Sequence, residues 1–196
     1  MRRLLLALPF ALLPLVVAQA ADEHDHEHGS LGAHEHGVAR LNVALSGQTL
    51  ELELESPAMN LVGFEHAGAS DDDKAKVASA RARLEKPLAL FSLPKAAGCV
   101  VQNQGLESPL FGDKPHADDD HDEDAKAEVA HEHHEGHSEI HALYQFTCAA
   151  PGELKTLDLV NVFNTFPATQ KIQVQLIGPS GQQGVEVTAK AASLKF

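Results

Sequence analysis

The sequence predicts an α+β fold that consists mainly of antiparallel β-strands. Apolar and polar residues alternate in several short segments, a pattern typical of strands with one buried face. One further stretch has the cap and the apolar spacing of a helix. We expect six or seven strands, one helix and a long disordered loop rich in His and Asp. A two-layer, sandwich-like arrangement with the helix at one end fits this count.

The first strands should form a hairpin. Residues 38–45 and 50–55 both alternate, and Ser46-Gly47-Gln48 between them has turn composition. The helix should run from about Asp71 to Glu85, because Ser70 can cap it and three Asp residues fill its first turn. Pro87 should stop it. The inward-facing residues of this helix would be Val77, Ala80 and Leu84.

Five further strands and one short turn or helix complete the predicted set of elements. Ile140, Ala142, Tyr144, Phe146 and Cys148 share one face of the clearest strand. The other predicted strands are 98–104, 154–160, 172–176 and 185–189, and residues 161–166 should form a short turn or helix that Pro167 ends.

Composition limits the class of protein. The chain has 196 residues, of which 43% are hydrophobic, so it can bury the core of a single domain. Lys and Arg number 15 against 28 Asp and Glu, a net charge of −13. Nucleic acids and anionic membrane surfaces attract basic proteins, so this balance argues against both as partners. No long apolar stretch follows the N-terminus, and we therefore expect no membrane insertion.

The first twenty residues have the pattern of a secretory signal peptide. Arg2 and Arg3 precede an apolar stretch, and Ala18-Gln19-Ala20 is a small-residue cleavage site. The predicted organisation is a signal peptide at 1–20, a His-rich tail at 21–37 and a single metal-binding domain at 38–196. This organisation places the protein in the periplasm.

The two cysteines, Cys99 and Cys148, lie in strand-like apolar segments. In an oxidising compartment a structural disulfide between them is the expected arrangement. A pair of thiolate metal ligands is the alternative that the sequence leaves open.

Histidine is the most informative residue type, because eleven of the 13 lie in two short segments. The second segment, an insert at 112–138, has ten Asp and Glu against two Lys and almost no large apolar residue, so we expect it to be disordered. The tail contributes His24, His26, His28, His34 and His36, and the insert contributes His116, His121, His131, His133, His134 and His137.

Neutral imidazole binds zinc, copper and nickel, and carboxylates support such sites. The two segments therefore predict a protein that binds several divalent ions, with Zn²⁺ the leading candidate. His66 and His141 lie in ordered sequence, and we expect a folded site to draw on His34, His36, His66 and His141. Copper(II) or nickel(II) binding is the alternative, for example at Asp22-Glu23-His24 if cleavage follows Ala21.

An enzyme is not the expected class. A metallohydrolase needs a rigid three-ligand site with an open position and a nearby base. The sequence has no His-Glu-x-x-His helix, no Gly-x-Ser-x-Gly motif and no cysteine that suits a nucleophile.

Several motifs, in order along the chain, resemble the ZrgA-type periplasmic zinc-uptake proteins. These are 32–37 (Gly-Ala-His-Glu-His-Gly), 56–60 with 63–66, 97–99, the His/Asp-rich insert and 144–148. The resemblance extends from about Gly32 to the C-terminus. It implies an accessory protein that supports zinc import, with the solute-binding protein of a zinc ABC transporter as its partner.

Overall fold

The computed structural model of the protein describes residues 35–112 and 138–196. Within these ranges the chain forms eight strands and four α-helices. The strands are β1 (Val38–Ser46), β2 (Thr49–Pro57), β3 (Cys99–Glu107), β4 (Glu139–Cys148), β5 (Thr156–Asp158), β6 (Lys171–Gly178), β7 (Gly181–Thr188) and β8 (Ser193–Lys195). The helices are α1 (Ala58–Val62), α2 (Asp71–Leu84), α3 (Pro87–Leu90) and α4 (Val160–Thr165).

Six strands form one sheet in the order β3-β4-β2-β1-β6-β7, and β5 pairs with β8 in a second, two-stranded sheet. All adjacent strands pair antiparallel except β1 and β6. These two strands pair parallel, with Val38 opposite Lys171 at the start of the register. The structure confirms a mainly β fold with few helical residues. It differs from the prediction in its mixed large sheet, in its eighth strand and, among the described ranges, in the additional short helices α1 and α3. The short turn or helix predicted at 161–166 forms α4.

The first hairpin forms as predicted. Ser46 pairs with Thr49, so the turn consists of two residues, and Gly47 adopts the positive φ of 58° that such a turn favours. Alternate residues of both strands are buried, whereas the residues between them lie on a polar face. Leu41 and Leu54 are register partners on the buried face.

The buried face of the large sheet packs against the helices. Helix α2 starts at a capping box in which Ser70 and Asp73 each accept a hydrogen bond from the other's backbone N–H, and Ala80 and Leu84 are buried while Val77 is partly buried. The phenol of Tyr144 on β4 donates to the carbonyl oxygen of Leu84 at 2.9 Å. Burial raises the pKa of Tyr144 above its usual range, so this side chain remains a neutral donor.

A disulfide joins the first residue of β3 to the last residue of β4. Cys99 and Cys148 are register partners, and their sulfur atoms are 2.04 Å apart. The predicted disulfide is thus confirmed, and the thiolate-ligand alternative does not hold in this structure.

Most other boundaries shift by a few residues. The predicted strand at 154–160 is shorter, because α4 begins at Val160, and the strand predicted at 185–189 starts earlier, at Gly181. Pro87 opens the short helix α3 after α2 has ended. The signal peptide, the tail up to His34 and residues 113–137 of the insert lie outside the described residues.

Candidate metal centre

The three histidines that the structure describes lie near one end of the large sheet. His36 is two residues before β1, His66 follows α1, and His141 is the third residue of β4. At this end β1 and β4 begin and β2 and β3 finish, since these neighbouring strands pair antiparallel. The fold therefore brings histidines from distant parts of the sequence to one end of the sheet.

Asn60, a buried residue of α1, holds the chain next to His36 in place. Its Oδ1 accepts from the backbone N–H of Gly37 at 2.7 Å, and its Nδ2 donates to the carbonyl oxygen of Val38 at 3.0 Å. The same amide donates to Ser56 Oγ at 3.1 Å. These bonds satisfy buried backbone groups and fix the entry into β1.

Ser138, the residue before β4, makes a second connection. Its hydroxyl donates to the carbonyl oxygen of Glu65 at 2.9 Å, and its own carbonyl accepts from the N–H of Ala58 at 2.8 Å. The segment that contains Glu65 and His66 is therefore tied to the start of β4, and so to the strand that carries His141.

His36 lies against a carboxylate. Its Nε2 is 3.1 Å from Glu65 Oε1, and the Glu65 side chain is only 11% exposed whereas that of His36 is 52% exposed. The two atoms are close, but their geometry is not that of a hydrogen bond, so the contact is electrostatic and favours a positive charge at this point. Imidazole nitrogens and carboxylate oxygens are both groups that bind zinc in proteins.

His66 is oriented by different groups. Its Nδ1 lies 3.1 Å from the carbonyl oxygen of Ala67, and because a carbonyl only accepts, Nδ1–H is the donor. The lone pair of the neutral ring is therefore on Nε2. The ring also stacks on Phe64, with centroids 4.7 Å apart and an interplanar angle of 18°.

His141 lies among carboxylates on the polar face of the sheet. Its Nε2 is 3.4 Å from Glu139 Oε2. Its register partners on the two adjacent strands are Glu55 and Glu107. Directly opposed residues have Cβ atoms about 5 Å apart, so these carboxylates make the surroundings of His141 favourable for a cation.

These histidines do not form one closed ligand set. Across residues 35–112 and 138–196, the structure has no group of three or more His, Cys, Asp or Glu placed to hold a metal ion. Of the four histidines predicted to form one site, His36, His66 and His141 each contact a different group. His34 lies outside the described residues. The others outside them are His24, His26, His28, His116, His121, His131, His133, His134 and His137, and their metal-binding roles stay predictions.

Two residues near the site, Glu65 and Asn60, were not singled out from the sequence. Both lie in segments that the family resemblance had marked, but neither is a histidine. Asn60 is buried, and the side chain of Glu65 is 11% exposed. The sequence signal for Glu65 is its place beside His66. For Asn60 it is a polar residue in an otherwise apolar short helix.

A groove in the described part of the chain lies elsewhere. This groove of about 510 Å³ crosses the polar face, and its lining includes Asn42, Glu53, Gln145 and Ile177 but no histidine. Glu53 there already accepts from Asn42 at 3.0 Å. We therefore place the candidate metal centre at the end of the sheet and not in this groove.

Together, the fold and the site define a β-sheet protein with imidazoles next to oxygen acceptors at one end of its sheet. A family model described as ZrgA family zinc uptake protein matches residues 33–196. The chain belongs to this family, and its role is in zinc uptake. A search of curated proteins finds no match. No helix in the described part of the chain is long and apolar enough to cross a membrane.

Proposed function

We propose that this protein binds Zn²⁺ in the periplasm as a chaperone or buffer and passes it to the solute-binding protein of a zinc ABC transporter. Family membership supports zinc as the cargo. The observation that carries the binding role is the pairing of His36 Nε2 with the carboxylate of Glu65. It places an imidazole nitrogen and a carboxylate oxygen, two groups that bind zinc, next to each other.

The exposure of the histidines favours capture and release over permanent storage. The side chains of His36 and His141 are 52% and 41% exposed, and His66 is also exposed. A partner can reach such ligands, and a site with few fixed ligands holds its ion less tightly. We expect dissociation constants near micromolar, about −8 kcal/mol of binding free energy.

A zinc titration tests the binding role. The comparison uses the unaltered protein, a variant with His36, His66 and His141 all changed to Ala, and a variant with residues 113–137 replaced by a short Gly-Ser linker. Each variant should bind fewer ions than the unaltered protein. Glu51→Gln, on the polar face away from the histidines, is the matched control and should bind as before. Unaltered zinc stoichiometry in both test variants would refute the proposal.

A transfer experiment tests the hand-over. Zinc-loaded protein is mixed with the metal-free solute-binding protein of a zinc ABC transporter, the two are separated, and zinc is measured in each. We expect zinc to move to the solute-binding protein faster than it dissociates into a chelator alone. Equal rates would argue against direct transfer.

The proposed compartment rests on residues 1–20 and is tested by cell fractionation. The protein should appear in the periplasmic fraction with its N-terminus at Ala21. Recovery in the cytoplasm with Met1 intact would contradict this location.

Copper(II) or nickel(II) handling is the second candidate, because imidazole binds copper(II) more tightly than zinc whatever the biological role. Affinity alone therefore cannot separate the candidates. Expression that rises in zinc starvation and not in copper stress would favour zinc, and the opposite response would favour copper.

We propose no catalytic step for this protein. A hydrolytic zinc site holds three protein ligands and a water next to a base. The proposed role needs only binding and release. Zinc-dependent turnover of a panel of ester, amide and phosphate substrates that is lost in His66→Ala would overturn this part of the proposal.

A further inference from the structure

We propose that the outer edge of β7 is an interface at which two copies of this chain pair as antiparallel strands. The pairing joins their six-stranded sheets into one continuous sheet. This inference does not depend on zinc binding, because it rests on the backbone and side chains of β7 alone.

The backbone of β7 has an edge that is open to a further strand. Gly178 and Gly181 flank a two-residue turn and are register partners, so they form a hydrogen-bonded pair. Because such pairs alternate along an antiparallel ladder, the N–H and C=O groups of Gln182, Gly184 and Glu186 point away from β6. Within residues 35–112 and 138–196, no backbone hydrogen bond occupies these groups.

The position of Thr188 limits the register of the pairing. Its N–H donates to the carbonyl oxygen of Ala191 at 3.4 Å, and its own carbonyl accepts from the N–H of Ala191 at 2.9 Å. A second β7 strand therefore meets only the three open positions. All three are used in both strands only when Gly184 lies opposite Gly184 of the second copy, since Gln182 then lies opposite Glu186. Each of these pairs can exchange both of its N–H···O bonds.

The side chains are self-complementary in this register. Gly184 lies on the two-fold axis, and the space where its Cβ would be is open, with no atom within 4 Å. The amide of Gln182 can donate to the carboxylate of Glu186 across the interface, and no like charges face each other. On the other face, Val185 is 40% exposed and would lie beside Gln183 of the second copy, which covers part of its apolar surface.

The opposite edge of the sheet is less suited to pairing. The register of β3 shifts between Val101 and Asn103, and such bulges are a common device that prevents edge strands from associating. The register of β7 with β6 is regular along its whole length, and β7 contains neither Pro nor Lys. Of the two edges of this sheet, β7 is therefore the one that favours a second copy.

The size of the interface predicts a weak, reversible dimer. Stable interfaces bury about 1,200–2,000 Å², more than three pairs of strand residues can cover, and the net charge of −13 on each chain opposes association. We therefore expect a dissociation constant on the order of 0.1 mM. Sedimentation equilibrium of the full chain from about 10 µM to about 1 mM measures it, with a chelator present so that zinc cannot bridge two molecules. A monomer throughout this range would overturn the inference.

The first pair of variants tests which edge is used. Gly184→Lys places two like charges opposite each other on the axis, and its side chain has space in the monomer. We expect about fivefold weaker association. Gly105→Lys adds the same charge to β3, where the new Cβ would make an ordinary contact at 3.9 Å with Leu143, and it should associate like the unaltered protein. An equal change in both variants, or no change in Gly184→Lys, would overturn the inference.

A mixture of two variants tests the register. Gly184→Lys and Gly184→Glu bring opposite charges together on the axis only when one molecule of each variant pairs with the other. We expect the mixture to associate more tightly than either variant alone. A loss of fold would not produce this gain, and net charge alone predicts an affinity between those of the two variants. An intermediate affinity of the mixture would therefore refute pairing at Gly184.

Discussion

The hydroxyl of Ser138 donates to the carbonyl oxygen of Glu65 at 2.9 Å, and this bond joins segments 73 residues apart in the sequence. Ser138 is also the residue at which the His-rich insert returns to the sheet. One buried serine therefore connects the end of the insert, the carboxylate beside His36 and the start of the strand that carries His141.

Replacing this serine tests the connection. Ser138→Ala removes the bond to Glu65 and keeps the backbone bond to Ala58. We expect the free energy of unfolding to fall by about 0.5–1.5 kcal/mol, the usual net value of one hydrogen bond. Denaturation by urea measures it. Ser180→Ala, in the exposed turn between β6 and β7, should change stability little, and an equal loss in both variants would contradict the role of Ser138.

Asn60 should be more important for stability. Asn60→Ala leaves the buried N–H of Gly37 and the carbonyl of Val38 without this side-chain partner, and each such group costs about 1–3 kcal/mol. We expect a total loss of about 2–4 kcal/mol. Asn164→Ala, on the exposed side of α4, is the control. A loss below 0.5 kcal/mol, roughly the lower limit for one hydrogen bond, would show that water replaces the amide.

The disulfide should stabilise the fold without taking part in metal binding. Cys99 and Cys148 close a chain segment with a sequence separation of 49. Replacing both with Ala should lower the free energy of unfolding by about 2–4 kcal/mol, mainly because the unfolded chain gains freedom. Zinc stoichiometry should not change. Fewer bound ions in the folded double variant would indicate that the sulfur atoms contribute to a site.

The capping box of α2 predicts a dependence of stability on pH. The hydrogen bond with the Ser70 side chain lowers the pKa of Asp73 from its ordinary value of 3.8. A carboxyl group with a lowered pKa in the folded state stabilises fully above its unfolded pKa, and this contribution is lost as the pH falls through the folded value. Asp73→Asn should therefore be less stable than the unaltered protein at pH 6, and the difference should shrink below pH 4. A constant difference from pH 6 to pH 2 would contradict this linkage.

Local patterns in the sequence were sufficient for the hairpin and for α2. Leu41 and Leu54 meet because a two-residue turn sets their register, and the Ser70 cap defines where α2 begins. The parallel pairing of β1 with β6 was not predictable in this way. It depends on which sheet edge stays open after the hairpin has formed, and no pattern around Val38 or Lys171 contains that information.

The candidate site was predictable only in part. Clustered imidazoles indicated metal binding, because composition reports that chemistry directly. The positions of His36, His66 and His141 at one end of the sheet required the strand order. The contact between Glu65 and His36 required more, since it depends on packing between segments that are far apart in the chain. The short helices α1 and α3 were missed because four or five residues are too few to show a helical period.

The close approach of β3 and β4 has a consequence for how this protein can vary. Ser108 Oγ, just after β3, donates to the carbonyl oxygen of Glu139 at 2.7 Å, so the two ends of the intervening sequence are pinned together by the sheet. For a flexible loop between fixed ends, each doubling of the length raises the free-energy cost of loop closure by only about 0.6 kcal/mol. Evolution can therefore lengthen, shorten or change the sequence between these anchors while the scaffold keeps its architecture.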